Sequence, residues 1–141
     1  MSQYVIHPLV VGINETDQGI MTYQKGYGKR IYLPIYVFYL EGSDQKILVD
    51  TGMEEFMVPP GAAEETGLKI MEFEEALDTV NLKPEDVDIV IQTHLHNDHT
   101  AKTPTNAQRP RFMCSRQNSI FSSHPTLSIT ATILTCWTIQ R

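Results

Sequence analysis

The sequence predicts one mixed domain of α+β or α/β class, and three observations carry that reading. Segments 33–40 and 46–50 are rich in β-branched and aromatic residues, and Glu41-Gly42-Ser43-Asp44-Gln45 joins them with the composition of a hairpin turn. From Lys69 to Val80 apolar residues recur at helical spacing. Soon afterwards, Asp88-Ile89-Val90-Ile91-Gln92-Thr93 reads as another strand, giving the order hairpin, helix, strand.

Taken in order, Tyr4–Gly12 is an opening strand, short and rich in Val and Ile. Residues 13–32 are polar and glycine-containing and read as a loop. Gly26-Tyr27-Gly28 lacks the third glycine and the Lys-Ser/Thr of a phosphate-binding loop, so no nucleotide site is read there. After the hairpin, residues 51–67 form a second loop, punctuated by Pro59-Pro60-Gly61. In the helical segment Ile70, Phe73, Ala76, Leu77 and Val80 face inward, while Glu72, Glu74, Glu75 and Asp78 face water. Asn81-Leu82-Lys83-Pro84 stops the helix.

Composition removes several classes of protein. A content of 41% hydrophobic and 20% charged residues excludes collagen-like, coiled-coil and wholly disordered chains. The longest apolar run, 33–40, is far short of a membrane span. No basic stretch followed by an apolar core opens the chain, so a cytoplasmic protein without a signal peptide is expected. Cys114 and Cys136 are too few for a disulfide scaffold and show no Cys-x-x-Cys spacing. A net charge of −6 argues against a nucleic-acid partner, and a small-molecule substrate is expected instead.

The charge is unevenly spread. All 17 acidic residues lie between Glu15 and Asp98; against seven basic residues they give −10 over 1–102. The remaining residues carry four arginines and no acid, a +4 segment rich in Ser and Thr with no helical period. The chain therefore divides into a domain over 1–106 and a tail over 107–141.

The chemistry lies in Thr93-His94-Leu95-His96-Asn97-Asp98-His99-Thr100, where three of the five histidines and a carboxylate fall within six residues. Two apart on extended chain, His94 and His96 point the same way and reach one ion; Asp98 and His99 follow at the turn and can serve a second ion beside it. Imidazole with carboxylate is a ligand set for zinc, with Mn²⁺, Fe²⁺ or Co²⁺ as substitutes.

His94-x-His96-x-Asp98-His99 resembles the signature of the metallo-β-lactamase fold of metal-dependent hydrolases. Upstream, Ile47-Leu48-Val49-Asp50-Thr51-Gly52 is similar to that superfamily's second hallmark, an apolar strand ending in Asp-Thr-Gly. The flanking residues Leu33-Pro34-Ile35-Tyr36 and Gly52-Met53 most resemble the N-acyl homoserine lactonase branch. The resemblance covers roughly 4–106 and implies the N-terminal half of an αβ/βα sandwich. It also implies His94 and His96 on a first zinc, Asp98 and His99 on a second, and Asp50 orienting the histidines or the loop that bears them. Lactone ring-opening by a metal-bound hydroxide is the implied reaction, with Asp98 passing a proton to the leaving alkoxide. Hydrolysis of β-lactams, thioesters or phosphodiesters, or a catalytically inactive remnant, are the alternatives.

That fold is about twice this length, and its second half supplies further His and Asp ligands. Beyond His99 this sequence offers only His124, in Ser-Ser-His-Pro, and no acid. A shifted reading frame accounts for such a tail: Met113-Cys114 then encodes Val and Cys136-Trp137-Thr138 encodes Leu-Asp, with acidic residues permitted around them. The expectations that follow are a frameshifted or disordered segment, weakly held zinc, impaired activity and self-association through an incompletely covered sheet.

Overall fold

The structure is a computed structural model that describes residues 3–102 and 111–114. One five-stranded sheet, ordered β1-β2-β3-β4-β5, organises it. Strands β1 (Val5–Asp17), β2 (Arg30–Glu41) and β3 (Ile47–Val49) form an antiparallel meander. Strands β4 (Ile89–Gln92) and β5 (Arg111–Cys114) continue it in parallel with β3. Among the described residues there are four short helices: α1 (Gln18–Met21), α2 (Ala62–Thr66), α3 (Phe73–Asp78) and α4 (Asn97–Thr100). A metallo-β-lactamase-like mixed fold is what the sequence predicts, and the predicted hairpin is present as β2–β3. The expectations for the tail fall, apart from 111–114, on residues outside the described ones; strand β5 itself was not read from the sequence.

Three local readings need correction. Residues 13–32 are not one loop, because β1 continues to Asp17 and pairs with β2 down to Asp17↔Arg30. Ile13 is fully buried, and the polar run Asn14–Asp17 that follows it is held extended by pairing with Arg30–Leu33 of β2. The connection is closed by Asp17, whose Oδ1 accepts Gly19 N–H at 2.7 Å and whose Oδ2 accepts Gly28 N–H at 2.6 Å. A carboxylate thus already sits where a glycine loop would receive an anion. Second, the loop over 51–67 contains a 3₁₀ turn, Glu55–Met57, and helix α2.

Third, α3 is shorter than the apolar spacing over 69–80 predicts. Met71 N–H donates to Val10 O at 3.1 Å, which ties the approach to α3 against β1 in extended form. At the other end Asn81 turns left-handed (φ 54), and Leu82 N–H returns to Leu77 O at 3.1 Å. The tertiary bond at one end and the left-handed capping turn at the other outweigh a weak helical propensity in a segment this short.

The core lies on one face of the sheet. Leu9, Val11, Ile35, Val37, Tyr39, Leu48 and Val90 meet Phe73, Ala76 and Leu77 of α3, with Met53, Leu82 and Val87 closing the edges. Leu77 is fully buried, so Leu77→Ala is expected to cost about 2–5 kcal/mol by chemical denaturation. A loss under about 1 kcal/mol would show that α3 is not anchored as described.

Candidate metal centre

Parallel register builds the site. Val49 of β3 pairs with Ile91 of β4, and Asp50 N–H then donates to Ile91 O at 2.9 Å. The chain leaving β3 at Asp50 and the chain leaving β4 at Thr93 therefore emerge side by side at the carboxyl ends of two strands, where α/β folds collect functional groups. Asp50 is buried and turns left-handed (φ 60), which aims its carboxylate across at Thr93. Its Oδ1 accepts Thr93 N–H at 2.8 Å, and its Oδ2 accepts the Thr93 hydroxyl at 2.6 Å. Oδ2 also accepts His99 Nδ1–H at 2.8 Å. Gln92 is buried beside it; its amide nitrogen, assigned from the hydrogen-bond network, donates to Asp50 Oδ1 at 3.3 Å and to His99 O at 3.1 Å.

The rest of the Asp-Thr-Gly segment grips α4. Thr51 N–H donates to His99 O at 2.8 Å, its hydroxyl does so at 3.2 Å, and Ala101 N–H donates to Gly52 O at 3.1 Å. Gly52 has φ 77, and a Cβ there would lie 2.5 Å from Val11 Cγ2, so the position takes only glycine without strain. Lys102, just past α4, binds Glu55 at 2.6 Å and Glu54 at 3.0 Å and so ties the loop that follows Gly52 to the end of α4.

These contacts gather the predicted site residues. One ligand atom each from His94, His96 and Asp98 falls within 4.8 Å of the others. The His94 ring stands 4.6 Å from His96 and 4.1 Å from His99. His99 faces two carboxylates: Nδ1 meets Asp50, and Nε2 lies 3.7 Å from Asp98 Oδ2. Three imidazoles and a carboxylate on one short turn fit a divalent cation that takes nitrogen and oxygen ligands. Asn14, from distant β1, donates to Asp98 Oδ2 at 2.7 Å. Nothing in the sequence pointed to Asn14, since 84 residues separate the pair. Gln92 offered a signal, a polar residue ending an apolar strand, and Thr51 and Thr93 lay inside the quoted motifs without a role.

The same contacts split the imidazole titrations. Burial, with the neighbouring His99 and His96, holds His94 below the ordinary 6.5. The Asp50 hydrogen bond outweighs burial and lifts His99 above it. Burial alone would push the Asp50 carboxyl up, but its bonds from His99 and Thr93 more than offset this and hold it below 3.8. In metal-free protein, the stability contributed by His99 is complete below pH 6.5 and lost as pH rises through its raised midpoint. His94 acts oppositely, and stability falls as pH drops from 6.5 toward its lowered midpoint. Histidine NMR titration should place the two midpoints on opposite sides of 6.5; coincident midpoints would contradict the geometry.

Comparison with known proteins agrees with this architecture. The family model of the metallo-beta-lactamase superfamily matches residues 31–105, more than half of the chain. A solved quorum-quenching N-acyl homoserine lactone lactonase is 26% identical, with 89% of this chain and 52% of that one aligned at a TM-score of 0.63. The dizinc quorum-quenching lactonase AidC is 14% identical, covering 85% of this chain and 44% of its own, with a TM-score of 0.56. The exodeoxyribonuclease WalJ of Streptococcus pneumoniae serotype 2 (strain D39) is 40% identical over 62 residues, 44% of this chain and 18% of WalJ. This chain thus spans about half the length of the lactonases and about a fifth of WalJ. The chain belongs to the metallo-beta-lactamase superfamily. Among the described residues, no helix is long and apolar enough to cross a membrane.

Proposed function

We propose that the protein is a zinc-dependent hydrolase that opens the ring of a lactone, with an acyl-homoserine lactone as the favoured substrate. The observation that carries this reading is the cluster of His94, His96 and Asp98 with His99 beside it, on a fold aligned along most of the described chain with a lactonase. A bound zinc pair would polarise the substrate carbonyl and acidify coordinated water. His94 and His96 would hold the first ion, and Asp98 and His99 the second. Asp50 orients His99 through Nδ1, leaving Nε2 directed toward Asp98. Asn14 donates to Asp98 Oδ2, and the carboxylate so held would take the proton given up by the attacking water and pass it to the leaving alkoxide.

An acidic balance over 1–102 disfavours a polyanionic substrate. Phosphodiester cleavage is the second reading, favoured by the 40% identity with a 62-residue segment of WalJ. Zinc-loaded protein assayed on acyl-homoserine lactones, nitrocefin, a glutathione thioester and a bis-aryl phosphate separates these readings. Turnover of the lactones alone, lost on chelation, is the expected result. Turnover of the phosphodiester in its place would transfer the assignment to the second reading.

A further inference from the structure

We propose that Thr93 is a positioning residue that fixes the tautomer of His94, so that Asp50 presets two imidazoles at once: His99 directly and His94 through the Thr93 hydroxyl. The inference rests on the metal-centre reading and names the nitrogen each ring presents. The Asp50 carboxylate accepts from Thr93 N–H, from His99 Nδ1–H and, at longer range, from Gln92. An acceptor so surrounded has no proton to give, so the 2.6 Å contact between Thr93 Oγ1 and Asp50 Oδ2 is the hydroxyl donating. A hydroxyl has one hydrogen, and this contact commits it. The side of Oγ1 that faces His94 Nδ1, 3.1 Å away, is therefore a lone pair, and that contact is favourable when Nδ1 carries the proton.

His94 is thereby held with its free lone pair on Nε2, the same nitrogen that His99 leaves open by bonding Asp50 through Nδ1. Thr93 is an exposed residue, but its backbone N–H is also bound to Asp50 at 2.8 Å, and this second tether keeps the hydroxyl in place. Without the hydroxyl, the His94 proton is free to move to Nε2 and block the ligand atom.

The test uses ¹⁵N-labelled metal-free chain, long-range ¹H–¹⁵N spectra of the histidines above their titration range, and zinc affinity by chelator competition. In the unaltered protein His94 and His99 should both carry the proton on Nδ1. Thr93→Val, which keeps the shape and removes the hydroxyl, should move His94 toward the Nε2–H form and weaken zinc binding about 10–100-fold. Thr93→Ser should restore both readouts, with His99 unchanged throughout. An Nε2–H form of His94 in the unaltered chain overturns the proposal, whether or not T93V folds. An unchanged His94 tautomer in folded T93V overturns it as well. Absence of zinc binding in every variant, with the Nδ1–H spectrum and its loss in T93V intact, would remove the metal reading and leave the relay standing.

Discussion

Asp50→Asn is expected to weaken zinc binding by roughly 10–100-fold and to lower the unfolding free energy by about 1–3 kcal/mol. Asparagine tolerates the left-handed backbone at this position, so the change isolates the side chain (φ 60). The carboxylate accepts Thr93 N–H, Thr93 O–H and His99 Nδ1–H, all at 2.8 Å or less. An amide offers one acceptor oxygen and turns its NH₂ toward groups that are themselves donors. At least one buried donor loses its partner, and His99 loses the bond that orients it. Chelator competition and urea unfolding, both begun from metal-free protein, read the two effects. Unchanged affinity together with an unchanged midpoint would show that Asp50 is only the end of a hairpin strand.

The paired substitution His94→Ala with His96→Ala should behave differently. Zinc affinity should fall by more than about 100-fold, beyond the effect of losing a supporting residue. Unfolding of the metal-free protein should stay within about 0.5 kcal/mol, because His96 is exposed and His94 only partly covered, and neither belongs to the core. Residues that hold an ion and residues that orient the holders are thus separated by whether stability falls along with affinity. A large stability loss in the histidine variant without a loss of zinc binding would reverse these roles.

Much of the site was legible because its chemistry is compressed into short segments. His94, His96, Asp98 and His99 sit within six residues, and the apolar strand ending in Asp50 announces its own termination. Asn14 was not legible, because its meeting with Asp98 depends on how far β1 extends, and polar residues there read as loop. The extent of β1 is decided by pairing with β2, a tertiary effect that no local window contains. The excess length given to α3 has the same origin: Ile70 keeps helical spacing, but Met71 is held to Val10 by a long-range backbone bond. In the Asp-Thr-Gly segment the residue types were visible and their work was not, since Thr51 and Gly52 act on the carbonyl of His99 and the N–H of Ala101 through backbone geometry.

X-ray absorption at the zinc edge tests most directly whether the imidazoles after β4 hold a divalent ion. Metal-free protein is loaded with zinc, freed of excess by gel filtration, and measured beside the His94→Ala/His96→Ala variant. The expected result is less than one retained zinc per chain, readily removed by chelator, with only nitrogen and oxygen neighbours at about 2.0–2.2 Å and imidazole outer-shell scattering, all absent from the variant. Zinc equally retained by the variant, or a sulfur neighbour at about 2.3 Å from the cysteines, would contradict it.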